Sequence, residues 1–265
     1  MSWVPLRVEP EDDPGGGIVR VDAQVEGNLV DLLLDTGASG TMIPARAGIA
    51  QLPTFGQRSS STAFGRQTTD RVRVDSLRFG DAEHGPLVVD RGNGADGYLG
   101  LDVLGRYRLH LDVDGGLLGL DEQDHVGDQH RLVLGEAGHP HLRLHWGEVT
   151  AYAVLDTGAS VTVVDAGFAD RHPQLFTSLG ASQGTDAAGL TRPGRIWTIS
   201  GPSIEDLDFA AHTAAVVDLA FINAGAQEPV DVIVGYPLLR QATWTLNLTD
   251  GTWSARLPPD SARRR

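Results

Sequence analysis

Along most of this chain apolar and polar residues alternate in short runs, and turn-forming residues interrupt the runs every few positions. Ile18 to Val25 alternates loosely, Gly27-Asn28 is a hairpin signal, and Leu29 to Leu34 is a largely apolar run that reads as a buried strand. Thr41-Met42-Ile43-Pro44 resumes the sheet. Between Ser59 and Phe79 two alternating segments flank Gly65-Arg66-Gln67, which predicts a long hairpin with Phe64 next to its tip. Leu87-Val88-Val89 is a further strand. Arg108 to Val113 and Leu117 to Leu120 then pair across Asp114-Gly115-Gly116.

The later half replays this order. Leu142 to Trp146, a Gly147-Glu148 turn and Val149 to Leu155 stand where Ile18 to Leu34 stood, and Thr243 to Leu248 and Thr252 to Leu257 flank Asp250-Gly251 as a second closing hairpin. The repeat is sharpest at Leu34-Asp35-Thr36-Gly37-Ala38-Ser39, which returns as Leu155-Asp156-Thr157-Gly158-Ala159-Ser160. Each copy delivers an Asp from a buried strand into a tight Thr-Gly turn, so two carboxylates could face each other. Ala95 to Leu104 likewise matches Val230 to Leu239. The two Asp lie 121 positions apart, too far for a solenoid unit and suited to a duplicated small domain.

Composition narrows the rest. The 33 Gly and 14 Pro suit short strands and many turns, and the expected structure is mainly β. The absence of Cys removes disulfides, thiolate metal sites and a thiol nucleophile. A net charge of −14 argues against a nucleic-acid partner, and the basic cluster Arg263-Arg264-Arg265 reads as a solvated tail. The acidic start does not resemble a secretory signal and no stretch approaches membrane-spanning length, so cytoplasmic residence and no membrane partner are the expectations.

With Asp-Thr-Gly present twice, followed by Tyr98-Leu99-Gly100 and Ile233-Val234-Gly235, the chain resembles the aspartic proteases. The likeness runs from about Ile18 to Leu257. It is that of a pepsin-like chain built from two retroviral-type (retropepsin-like) domains in tandem. The resemblance implies a bilobal acid-protease fold: two related, closed, β-barrel-like lobes with a cleft between them. The expected divisions are an irregular acidic lead-in over 1–17 with room for one edge strand, lobes over 18–120 and 139–257, a linker over 121–138 and a tail over 258–265.

The resemblance further implies that Asp35 and Asp156 share one proton and activate a water for peptide hydrolysis. Thr36 and Thr157 should brace the two loops, and the backbone around Gly37 and Gly158 should line the cleft. Glycine at 100 and 235 should let the backbones approach closely. Phe64-Gly65 stands where pepsin-like enzymes have the Tyr-Gly of a flap, so the flap hydroxyl is missing; Gly184 to Gly194 matches too weakly to predict a second flap. Ala38 and Ala159 replace the hydroxyl residue of pepsin-like enzymes, as in retroviral-type enzymes, which predicts a mildly acid to near-neutral optimum. No cofactor and no metal are called for. The expected partner is a peptide or protein substrate, held by a monomer with an intramolecular dyad. The competing readings are a catalytically silent peptide-binding protein on the same fold, and lobes that pair with those of another chain.

Other motifs read more blandly. Gly92-Asn93-Gly94-Ala95-Asp96-Gly97 formally matches a dinucleotide loop but lacks the long helix that should follow, so a surface loop is expected. His125, His130, His139, His141 and His145 cluster near the junction without compact ligand spacing, and exposed sheet histidines are expected. Asn247-Leu248-Thr249 reads as strand residues, and Ser39 and Ser160 lack a nucleophile's context.

Overall fold

The computed structural model describes residues 2–62, 65–94, 96–121, 126–185, 191–224 and 226–259. Among them the structure is mainly β, with strands in two sheets and only short helical turns. The pairing order is the same in both halves. In the first, Gly17–Val25 runs antiparallel to Asn28–Leu34, which pairs in parallel with Tyr98–Leu99; Met42–Pro44 then joins Tyr98–Leu99 to Leu87–Gly92. In the second, Pro140–Trp146, Val149–Leu155, Val232–Val234, Thr162–Asp165 and His212–Val217 follow one another with the same sequence of parallel and antiparallel pairings.

Each half ends in a long hairpin. A hairpin is found where the alternation between Ser59 and Phe79 predicts one, but with other bounds: Thr54–Ser61 pairs with Arg66–Val74, Leu77–Phe79 pairs instead with Gly17–Val25, and Gly65 O at the tip accepts the Thr62 N–H at 2.8 Å. Phe64 lies outside the described residues. The second half carries a matching hairpin, Phe176–Thr185 with Thr191–Ile199, on which the sequence makes no prediction: its glycine-rich, weakly alternating strands are held by backbone pairing more than by a buried face.

The lead-in is also corrected. Ser2–Pro10 is a nine-residue strand with neighbours on both sides, pairing through residues 2–5 with Leu117–Leu120 and through 6–10 with Gly17–Val25. Pro5 and Pro10 disguise it, yet Pro5 falls where the strand passes from one ladder to the other, and Val4 and Leu6 are buried with the two-residue period of a strand. The linker holds two short strands, His130–Arg131 against Thr252–Arg256 and Val133–Leu134 against Pro140–Trp146.

The two closing hairpins join one sheet, with Leu109 opposite Leu246. A single apolar core runs through both halves, from Leu32, Leu34 and Leu118 to Leu155, Val234 and Trp244. Trp244 is fully buried, stacks on Phe209 and donates its indole N–H to Leu239 O at 2.8 Å. Truncating such a side chain costs about 3–5 kcal/mol, so the two halves are held together by core as well as by sheet.

Candidate active site

Strand geometry delivers both Asp residues to one place. Asp35 follows Asn28–Leu34 and its N–H bonds to Leu99 O at 3.1 Å; Asp156 follows Val149–Leu155 and its N–H bonds to Val234 O at 3.0 Å. Each carboxylate turns back on its own loop, Asp35 Oδ1 accepting the Gly37 N–H at 2.9 Å and Asp156 Oδ1 the Gly158 N–H at 2.8 Å. The Gly37 and Gly158 α-carbons then lie against the opposite carboxylate. A Cβ at Gly37 would stand 2.3 Å from Asp156 Cγ, and one at Gly158 would stand 2.6 Å from Asp35 Cγ.

Burial and proximity dictate the electrostatics. The two carboxyls are hydrogen-bonded to each other, Asp35 buried and Asp156 half-buried. Burial, then the neighbouring Asp156 charge, holds Asp35 well above the usual carboxylate range; burial also raises Asp156. Two like charges so placed do not both ionise easily, so the pair carries one proton across a wide pH range.

The loops are cross-braced by reciprocal hydrogen bonds. Thr36 N–H donates to Thr157 Oγ1 at 3.0 Å, and Thr157 N–H to Thr36 Oγ1 at 3.1 Å. The hydroxyls in turn donate across the junction, Thr36 to Leu155 O at 2.8 Å and Thr157 to Leu34 O at 2.6 Å. Both threonines are buried. Below the loops a Cβ at Gly100 would stand 2.4 Å from Gly40 O, and one at Gly235 would stand 2.3 Å from Val161 O, which explains the glycine ending each apolar pair.

A cavity of about 1120 Å³ opens above the dyad, with walls from both halves and from both long hairpins. Arg58, Ser59 to Thr62 and Gln67 line it from the first hairpin, and Gln183, Gly184, Gly194 and Arg195 from the second. One wall is apolar: Tyr152, Val154, Val230 and Ile233 belong to a small cluster separate from the main core and face the cavity.

Several cleft residues escape the sequence reading. Arg58 donates to Ser39 Oγ and pairs at 3.4 Å with Asp90, whose carboxyl is buried and raised above its usual range by that burial. Tyr98, hydrogen-bonded to Gln67, stands near Asp35, and burial pushes its phenol upward. His139 and His141 are not exposed sheet residues: both line the cleft, and His141 is buried and stacked on Tyr152 at 4.5 Å. Burial, with His139 beside it, pushes His141 down to about 4. His139 ends a turn that the low apolar content of 121–138 conceals, and His141 follows it on the strand Pro140–Trp146. His130 lies on Trp253, His145 bonds Thr150, and His125 falls outside the described residues. One overlooked signal was available, since a Thr follows each Asp by six positions. Thr41 Oγ1 accepts the Gly100 N–H at 3.0 Å and Thr162 Oγ1 the Gly235 N–H at 3.4 Å.

Residues 21–103 match the family model of aspartyl proteases. That span runs from within Gly17–Val25 to the helical turn after Gly100, and it supports the aspartic protease class for the chain. Comparison with curated proteins gave no match. No helix among the described residues is long and apolar enough to cross a membrane.

Proposed function

We propose that the chain is an aspartic endopeptidase, bilobal in the pepsin-like sense, with one intramolecular dyad made of Asp35 and Asp156. The observation that carries this reading is the mutual approach of the two carboxyls at the floor of a cleft, each against the other half's glycine. One carboxylate takes a proton from a water lying between the pair as that water attacks the scissile carbonyl. The protonated partner hydrogen-bonds to the carbonyl oxygen. No covalent intermediate is needed. Thr36 and Thr157 position the loops, the first hairpin covers the substrate and excludes water, and the apolar wall at Tyr152, Val154 and Ile233 takes apolar side chains beside the scissile bond. Alanine at 38 and 159 leaves the carboxylates without a side-chain donor there, so activity should peak in mildly acid to near-neutral solution.

The test is cleavage of an unfolded protein mixture across roughly pH 3 to 8 by the wild type, Asp35→Asn and Asp156→Asn, with activity also followed on dilution. Loss in both variants and constant specific activity on dilution support one intramolecular dyad. Equal activity in all three proteins refutes the reading, and a peptide bound without cleavage by the wild type would favour a binding protein instead.

A further inference from the structure

The first hairpin is rooted at its base. Asp70 accepts there from Arg91 at 2.8 Å and from Gln57 at 3.1 Å, and residues 70–74 pair with the strand Leu87–Gly92. From residue 69 to the tip, the two strands pair with each other and, among the described residues, with no third strand. The outer part is therefore held over the cleft by side chains. Gln67 reaches Tyr98, and Arg58 reaches further, into the loop that carries Asp35.

The Arg58 guanidinium spans two elements of the cleft floor. Its Nη2 donates to Ser39 Oγ, and its Nη1 lies 3.4 Å from Asp90 Oδ2. Ser39 follows Asp35-Thr36-Gly37-Ala38 on the same loop, and Asp90 is buried on the strand beside Met42–Pro44. A planar fork of donors suits two acceptors on different elements, whereas an ammonium would satisfy one at a time. The seat is cut for it: a Cβ at Gly40 would stand 2.0 Å from Arg58 Nη1. In the second copy of the motif Val161 occupies the place of Gly40, so the repeat makes this room on the Asp35 side alone.

We propose that Arg58 is a positioning residue that latches the first hairpin to the Asp35 loop, so that the closed hairpin prevails before substrate arrives. This rests on the aspartic reading above. Arg58 acts through Ser39 and Asp90, and the substrate then spends little of its binding energy on closing the cleft. Where a binding-competent form is only partly populated, apparent affinity falls by that fraction. Loss of the latch therefore weakens binding and leaves the chemistry of the closed complex intact.

Arg58→Met keeps the stem and removes the fork. Hydrogen bonds to a charged group, discounted because Arg58 is 32 % exposed, give a rise in KM of about tenfold with kcat within about twofold of wild type. Arg58→Lys should recover part of the loss. Ser39→Ala should raise KM in the wild type yet add nothing in the Arg58→Met background, because the serine acts through the arginine. Arg58→Met combined with Asp90→Asn leaves no buried charge unpaired and should show the same KM, which separates the latch from a folding defect.

A second arm needs no cleavage. The chain has no Cys, so nitroxides can be placed on Arg66→Cys, exposed at the hairpin tip, and on Glu148→Cys, exposed in a turn of the second half. Pulsed electron paramagnetic resonance should give a narrow distance distribution with Arg58 present and a broader one, extended to longer distances, with Arg58→Met. An unchanged distribution overturns the proposal. So does a KM indifferent to Arg58→Met, a fall in kcat alone, or a Ser39→Ala effect as large in the Arg58→Met background as in wild type. Cleavage retained by Asp35→Asn instead refutes the protease reading, and the nitroxide distances keep the two failures apart.

Discussion

Removal of the Thr36 hydroxyl is the sharpest probe of how the halves are joined. In Thr36→Val the shape is kept, but the Thr157 N–H loses its acceptor at 3.1 Å and Leu155 O loses a donor at 2.8 Å. Both lie in a buried junction, Thr36 and Thr157 each being 1 % exposed, so water does not replace the lost partners. Leaving a buried polar group unpaired costs roughly 1–3 kcal/mol. Two such groups, less the saved desolvation of the hydroxyl, give a destabilisation of about 2–4 kcal/mol. Against a total stability on the order of 5–15 kcal/mol this is a large fraction, and for a chain of this size it lowers the melting temperature by roughly 5–12 °C. Urea unfolding followed by tryptophan fluorescence reads it directly, because Trp244 and Trp253 are buried in the shared core. Thr36→Ser restores the hydroxyl and should recover most of the loss. A Thr36→Val protein within about 0.5 kcal/mol of wild type, or a Ser variant as unstable as the Val variant, refutes the claim that these hydrogen bonds hold the halves together.

Three further outcomes are expected. Gly37→Ala places a methyl 2.3 Å from Asp156 Cγ and should lower cleavage by about 100-fold or more while the fold persists by circular dichroism. Gly56→Ala, where a Cβ meets nothing within 4 Å, should leave cleavage unchanged. His212 is buried, with one ring nitrogen on Ala210 O at 3.1 Å, and burial holds it at about 4 against a usual 6.5. The unfolded chain therefore takes up this proton first, and stability present above pH 6.5 is lost as pH falls through about 4. The loss from this group is roughly 3 kcal/mol. Denaturation midpoints of wild type and His212→Asn at several pH values check this, since the variant should lack that part of the acid sensitivity.

What the sequence discloses here is what repeats locally. Asp35 and Asp156 are legible because each sits at the end of an apolar run and before a Gly whose α-carbon faces the other carboxyl, and the motif occurs twice. Arg66–Val74 is legible from alternation, whereas Thr54–Ser61 before residue 59 and Phe176–Thr185 are not, because most of their described side chains are exposed and impose no period. Ser2–Pro10 is hidden by two prolines that the sheet tolerates, one of them at a switch between ladders. Arg58, Tyr98 and His139 reach the cleft through pairing over long stretches of chain. Nothing adjacent to them in sequence marks them as neighbours of the dyad.

That division between repeated and unrepeated residues bears on the chemistry. A duplicated motif supplies two equivalent carboxyls, and acid and base are different roles, so any inequality around them decides which holds the shared proton more of the time. Equivalent positions do differ around the dyad. Tyr98 beside Leu33 answers to Ile233 beside Val154, and Asp102, which accepts from Thr41 at 2.7 Å, answers to Pro237. The turn bearing His139 precedes the second half, while the stretch preceding the first half, from Glu11 to Gly16, closes on itself with Gly16 N–H to Asp13 O at 2.9 Å and brings acids to the rim. The braces, the glycines and the loop hydrogen bonds are nearly the same on both sides, so they fix where the carboxyls sit without distinguishing them. Any preference for the proton must come from the residues that do not repeat.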